Sequence, residues 1–437
     1  MKLLTKLTLS LVVLVLSLVQ TAQASPFKTE EWQTKKGARV VFHQAKEVPM
    51  LDINIAFAAG SAYDGKQFGL SSLTADLLDQ GNAGMDASVI AERFAETGAQ
   101  MGNNTSRDMA IFSLKSLTQK ENLQKALDTF SAVISKPDFP NDSFVREKNQ
   151  QLMAITQAQE SPEEVANLVL FKRLYGTHPY AHPIKGIAKS VRALKREDVL
   201  RFYQQYYVAR NAVIVLVGDI STQKAHQIAE QLTANLAEGK EAPRLSKASQ
   251  LNAEEKIAID FPSSQTVLRL AQIGIDHHDS DYFPLLVGNY ILGGGALVSL
   301  LSHEVREKRG LTYGVSSQFI PMPGDGPFIV SLSTQSKNAT TALQLTSDTL
   351  NQFVQKGPTD EELRAAKQYL MGSFPLSFGS NENIGNMLVR MTFYHLPKNY
   401  LDNYVASIKK VTTEEIRNAF QKKLQPKKML VIAVGKV

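Results

Sequence analysis

The chain has 437 residues, 43% of them hydrophobic and 21% charged, a globular composition that excludes disordered, collagen-like and multi-span membrane classes. Its length calls for two or more domains. A formal charge of +6, not gathered into any Lys/Arg block, argues against nucleic acid, and the absence of cysteine removes disulfides, thiolate zinc sites and thiol nucleophiles.

At the start of the chain Lys2 and Lys6 precede an apolar stretch from Leu9 to Val19 and the small-residue triplet Ala22-Gln23-Ala24. This is the pattern of a signal peptide over residues 1–24, cleaved before Ser25. The apolar run falls short of the ~20 residues a permanent span requires. Export in a bacterium then implies a periplasmic protein with no integral membrane segment after cleavage. Strands follow at 40–43 and 50–58, the second with Leu51, Ile53, Ile55 and Phe57 in alternation, and at 111–117. Leu123, Ala126, Leu127, Phe130 and Ile134 are spaced for one buried helical face, and Pro137 stops that helix. Helices dominate from there to an apolar strand at 213–218. Residues 236–256 are charged, contain Gly239 and Pro243, and lack an apolar face, so they read as a linker. Beyond it lie strands at 266–273 and 328–333 and helices at 342–353 and 361–374.

Similar patterns recur half a chain apart. Val199-Leu-Arg-Phe-Tyr-Gln204 followed by Val213-Ile-Val-Leu-Val-Gly218 resembles Ile416-Arg-Asn-Ala-Phe-Gln421 followed by Leu430-Val-Ile-Ala-Val-Gly435, at an offset of 217 residues. Pro140-Asn-Asp142 matches Pro358-Thr-Asp360 at an offset of 218. The fold class is therefore α+β, with two homologous domains from an internal duplication at 25–235 and 257–437. Each is expected to be an antiparallel-rich sheet packed with helices.

Histidine is the first place to look for chemistry. His178 and His182 have metal-like spacing only on a helix, which Pro179 and Pro183 oppose. His277 and His278 are adjacent, and on an extended chain they would point opposite ways. Gly293-Gly294-Gly295 lacks a phosphate-loop lysine and reads as a close-approach loop before a helix. In that helix Leu297, Leu300, Leu301 and Val305 form one face, Gly310 ends it, and a strand starts at Leu311. Arg306 then lies in the last helical turn and Tyr313 on the strand. Taken alone, Arg306 complements the helix dipole and Tyr313 packs.

The whole segment, from the three glycines through Ser299-Leu-Leu to Arg306-Glu-Lys-Arg-Gly-Leu-Thr-Tyr313-Gly314, resembles the second-domain signature of the insulinase or pitrilysin family of zinc metallopeptidases. That is the family of mitochondrial processing peptidase. Phe57 to Ser61, Gly69-Leu70, Gly81, Gly98, Asn104-Thr-Ser106 and His178-Pro-Tyr180 are similar to the family's first domain, so the resemblance covers nearly the whole mature chain. The family carries an inverted H-x-x-E-H on a helix, with two imidazoles for zinc and a Glu to take a proton from the metal-bound water. Carried over, those positions are Ser72, Ala75 and Asp76, and the third ligand position is Ala154. The resemblance thus implies a degenerate zinc site and no metal bound by this chain. It also implies that Arg306 and Tyr313, seven apart, reach a catalytic site and hydrogen-bond the substrate near the scissile bond, where a carbonyl gains negative charge.

The expectation is a non-catalytic subunit of a periplasmic two-subunit zinc peptidase, inactive alone and active only in a heteromeric complex. Zinc would reside in a zinc-bearing partner subunit of the same family, and the substrate would be an extended peptide along a sheet edge. The alternative is a peptide-binding or assembly module without a proteolytic role.

Overall fold

A computed structural model describes residues 28–436; the signal-peptide reading lies outside them. The first half holds strands β1 (Thr29–Gln33), β2 (Arg39–Gln44), β3 (Met50–Phe57), a two-residue hairpin of β4 (Gly81–Asn82) and β5 (Met85–Asp86), then β6 (Gln100–Thr105), β7 (Ala110–Leu117) and β8 (Ala212–Gly218). Its main sheet runs β1-β2-β8-β3-β7-β6, with β2 and β8 parallel and the other pairs antiparallel. The second half holds β9 (Glu255–Asp260), β10 (Gln265–Ile273), β11 (Thr312–Phe319), β12 (Pro327–Gln335) and β13 (Leu430–Gly435). They are ordered β11-β12-β10-β13-β9, with β9 and β13 the parallel pair.

The two orders superimpose strand for strand: β2-β8-β3-β7-β6 on β9-β13-β10-β12-β11. The extra strand of the first sheet is β1, paired outside β2. The repeat extends to single residues. Gly218 and Gly435 end the matching strands with φ +155°, and a Cβ there would come within 2.2 Å of Met50 O and 2.6 Å of Thr266 Oγ1. Only glycine tolerates both that dihedral and that approach. Between the halves, residues 237–251 have no regular structure, and β9 begins at Glu255, inside the segment 236–256.

One face of each sheet is covered by helices of its own half, the other by a helix from the opposite half. The helix Pro162–Tyr175 lays Ala166, Leu170 and Leu174 on Val267, Ala271, Ile432 and Val434 of the second sheet. The helix Asn381–Phe393 lays Ile384, Leu388 and Val389 on Val213, Val215 and Val217 of the first. Each starts at a serine, Ser161 or Ser380, whose hydroxyl accepts from a backbone N–H of the first turn. The exchange explains β3. Its alternation predicts one buried face, yet Asp52, Asn54 and Ala56 on the other are buried too. Gly385 of the exchanged helix sits so close that a Cβ would be 2.8 Å from Asn54 Nδ2.

Across the seam, Asp108 of the first half accepts from Tyr180 Oη at 2.5 Å and from Tyr394 Oη of the second half at 3.0 Å. Among the described residues no helix is long and apolar enough to cross a membrane.

Candidate functional site

Ser72, Ala75 and Asp76 lie on the short helix Leu70–Asp76. Gly69 enters it at φ +95°, and the buried Asp64 carboxylate accepts from Gly69 N and Ser71 N, both at 2.7 Å. Burial pushes the Asp64 carboxyl up to about 7, against those hydrogen bonds. From the facing helix Asn141–Ala158, Gln151 donates to Gly69 O at 2.9 Å and to Lys185 O at 2.7 Å. Glu147, Gln151 and Ala154 share one face of that helix by their spacing, so the fold brings Ala154 to the side that meets the shorter helix. Ser72 is 4% exposed and Ala75 1%, both packed into the first half. Asp76 is pushed up to about 6, first by burial, then by Glu147 and Asp79, with Lys185 opposing. Its Oδ2 is 3.5 Å from Ser72 Oγ. The edge strand β6 runs beside this helix, where Asn103 Nδ2 donates to Ala75 O at 3.3 Å.

The histidine pair at 178 and 182 brackets a tight turn at Pro179–Ala181 rather than lying on a helix. His178 Nε2 is 2.7 Å from Ser246 O, and His182 stacks on Phe68 with its Nδ1 3.0 Å from Pro183 O. Both rings are engaged, His178 by the distant Ser246 carbonyl and by Tyr180 N, and His182 by its neighbour Pro183.

In the second half, the glycine-rich stretch is less regular than a loop and a helix. Tyr290–Gly294 and Ser302–Glu307 are π-helical, with a 3₁₀ turn at Ala296–Val298 between them. Such turns are rare and concentrate at functional sites. Gly293 lets this chain approach the sheet, since a Cβ would be 2.6 Å from Ser317 N. The irregularity corrects one expectation: Leu301 and Val305 are buried, but Leu297 is 54% exposed and not part of that face. Arg306 occupies the last turn before Gly310, whose φ of +63° reverses the chain while Gly310 N donates to Arg306 O at 2.8 Å. The arginine is half-buried, and its guanidinium makes no hydrogen bond or ion pair among the described residues.

Tyr313 lies on the edge strand β11 and is 93% exposed. The register against β12 slips between Thr312 and Val315, a bulge that holds Tyr313 and Gly314. The Thr312 hydroxyl stitches it, accepting from Gly314 N at 3.1 Å and lying 2.7 Å from Ser333 O. Bulges of this kind redirect a side chain out of the sheet pattern. Arg306 and Tyr313 are thus held by two devices, a glycine reversal and an edge bulge.

Residues 39–186 match the family model described as Insulinase (Peptidase family M16), and residues 193–370 match the one described as Peptidase M16 inactive domain. A crystal structure of a peptidase M16 inactive domain from Pseudomonas fluorescens is 42% identical, covering 94% of this chain and 98% of its own at a TM-score of 0.90. The chain belongs to the insulinase family, M16. Other M16 relatives are more distant. "Non-peptidase homolog YmxG" of Helicobacter pylori is 27% identical over 418 residues, 93% of this chain and 94% of that protein. "Uncharacterized zinc protease YmxG" of Bacillus subtilis is 25% identical over 355 residues, 81% and 85% of the two chains.

The zinc of M16 peptidases does not fit the residues present. Ala75 and Ala154 carry no donor, Ser72 offers a hydroxyl, and Asp76 supplies one carboxylate. Glu147 and Asp79 are the neighbouring carboxylates acting on Asp76. Among the described residues no group of three or more His, Cys, Asp or Glu converges as a metal site.

Proposed function

We propose that this chain is the non-catalytic subunit of a two-subunit M16 peptidase in the periplasm, lending Arg306 and Tyr313 to the site of a zinc-bearing partner chain. The observation that carries this reading is the placement of Tyr313: a phenol raised on an edge-strand bulge, 93% exposed, one glycine reversal from an unpaired guanidinium. Neither head group makes a hydrogen bond or ion pair among the described residues. Together they suit a substrate carbonyl oxygen gaining negative charge, with Arg306 giving a charge-assisted hydrogen bond and Tyr313 donating its O–H. The substrate is an extended peptide. The exposed outer edge of β6, beside the degenerate helix, offers the unpaired backbone groups that strand addition requires. The lack of a zinc ligand set among the described residues and the name "Non-peptidase homolog" of the H. pylori relative support a chain that does not cleave peptides alone.

The test is reconstitution with a zinc-bearing M16 subunit, with association and peptide cleavage measured separately. Arg306→Ala and Tyr313→Phe should each lower turnover on the order of 10²–10³ while the complex still forms. Full turnover in an assembled double variant would overturn the assignment. Peptide binding by this chain with no zinc-bearing subunit captured would favour the binding or assembly module. Export is tested on the native protein, whose intact mass should start at Ser25.

A further inference from the structure

Where the halves meet, the segment 241–245, the loop at 276–278 and the chain at 393–395 enclose an open cavity of about 550 Å³, the size of small-ligand sites. Neither Arg306, Tyr313 nor the helix Leu70–Asp76 lines it. His277 stacks on Tyr394 with ring centroids 3.8 Å apart, and His278 Nε2 lies 2.8 Å from Tyr394 O. Pro243, Leu245 and Pro323 add apolar surface. On one wall, Arg39 Nη1 donates to Thr392 O at 2.6 Å and lies 3.1 Å from His395 Nδ1.

The charges lining the cavity are unbalanced. Three guanidiniums, those of Arg39, Arg210 and Arg244, share it with two carboxylates, Glu241 and Asp276. Asp276 is already engaged, with Lys247 Nζ at 3.2 Å and His278 N at 2.8 Å. Arg210 pairs at 3.3 Å with Glu238, which is outside the lining. Arg244 makes no hydrogen bond or ion pair among the described residues. The surplus is felt at His395, whereas the shift of His277 has other causes. His395 is lowered first by burial, then by Arg39, with Arg244 adding and Glu241 opposing. His277 is lowered to about 3, first by burial and then by Arg390 and His278. Glu241, exposed on a segment without regular structure, makes no hydrogen bond or ion pair among the described residues, and its charge acts on Arg39 and His395.

We propose that this cavity binds a small ligand with a carboxylate head and an apolar or aromatic body, the head facing Arg244 and competing with Glu241 for the cavity's arginines, the body lying against Tyr394. This chemistry belongs both to the C-terminal residue of a peptide and to a free aromatic acid. The proposal is independent of the peptidase reading, because it uses none of the same residues.

Calorimetric titration of the full-length mature chain with N-acetylphenylalanine, its amide, and a tripeptide ending in phenylalanine tests it. The acid should bind saturably and the amide about tenfold more weakly or worse, as expected for a lost charge-assisted contact. Arg244→Ala should weaken acid binding by a similar factor, while Glu241→Gln should tighten it. Both positions are exposed, and an unchanged melting temperature will show that neither variant disturbs the fold. Tripeptide binding as tight as the acid assigns the site to chain termini; exclusion of the tripeptide assigns it to free acids. No saturable binding at millimolar acid, equal affinity for acid and amide, or indifference to both substitutions would overturn the proposal.

Discussion

The edges of the two sheets, equivalent by duplication, hold opposite kinds of residue. Beside β6, Ser72 and Ala75, the positions that the family resemblance aligns with a zinc imidazole and with the proton-taking Glu, are small side chains that the first half has absorbed into its packing. Beside β11, Arg306 and Tyr313 carry polar head groups that have no hydrogen-bond or ion-pair partner among the described residues. A buried small residue is explained by folding alone, since any larger group would have to displace its neighbours. An aromatic lifted off an edge strand by a bulge gains no burial, and the proposed role in a partner's site is what would account for its placement. One fold thus displays a site filled in and a site held open.

The comparison depends on the two halves forming one unit, and the exchanged helices make that testable. Leu170→Ala and Leu388→Ala each remove a buried side chain that belongs to one half and covers the sheet of the other. Each should cost about 2–5 kcal/mol. Calorimetry should show a single transition lowered by either substitution. Two transitions, with one of them moved and the other fixed, would break the picture of an interlocked pair.

The filled site has its own signature in pH. Asp76 has a folded value of about 6, raised by burial from 3.8, so the folded state binds its proton more tightly than the unfolded chain. Stability from this group is therefore present below about pH 4, is lost as pH rises towards 6, and stays lost above it. Asp76→Asn abolishes that loss. Relative to the parent, the variant should gain on the order of 2 kcal/mol between pH 4 and pH 7 in denaturant titrations. A difference independent of pH would show that Asp76 is not desolvated.

Much of this was legible in advance, for reasons that vary by element. The strands at 40–43, 111–117 and 213–218 appear where their apolar patterns put them, because a buried strand must spend its residues on burial. The edge strand β6, Gln-Met-Gly-Asn-Asn-Thr, has no such pattern because it is exposed, and no reading of periodicity finds it. Leu297 was misplaced because a 3.6-residue period assumes a regular helix, whereas two π-turns and a 3₁₀ turn rotate the chain. Pro162–Tyr175 falls in the stretch read only as helical and Asn381–Phe393 lies beyond the predicted helices, and which sheet each covers is a matter of topology. Ser72, Ala75, Asp76, Ala154, Arg306 and Tyr313 came from family resemblance. The approach of Glu147 and Lys185 to Asp76, and the cavity at the seam, exist only once the chain is folded.

Rebuilding the filled site should be costly and incomplete. Ser72→His with Ala75→Glu and Asp76→His forces larger groups into a packed helix, at about 1–3 kcal/mol of overpacking. Ala154 still leaves a ligand missing, so the triple variant should lose zinc on dialysis, as read by metal analysis. Stoichiometric zinc retained with unchanged stability would mean that the first half was never truly filled.

The smallest expected effect is at the open site. Tyr313→Phe removes one oxygen from a side chain that is 93% exposed and without an internal partner, so the melting of the isolated chain should stay within about 0.5 kcal/mol of the parent. Arg306→Ala should cost little more, since an arginine near a helix C-terminus contributes roughly 0.3–1 kcal/mol. These small numbers give the reconstitution experiment its meaning: a large fall in turnover beside nearly unchanged stability can arise only if the two groups act on something the chain itself does not contain. A loss of several kcal/mol on Tyr313→Phe would instead return the phenol to the fold and erase the contrast between the two edges.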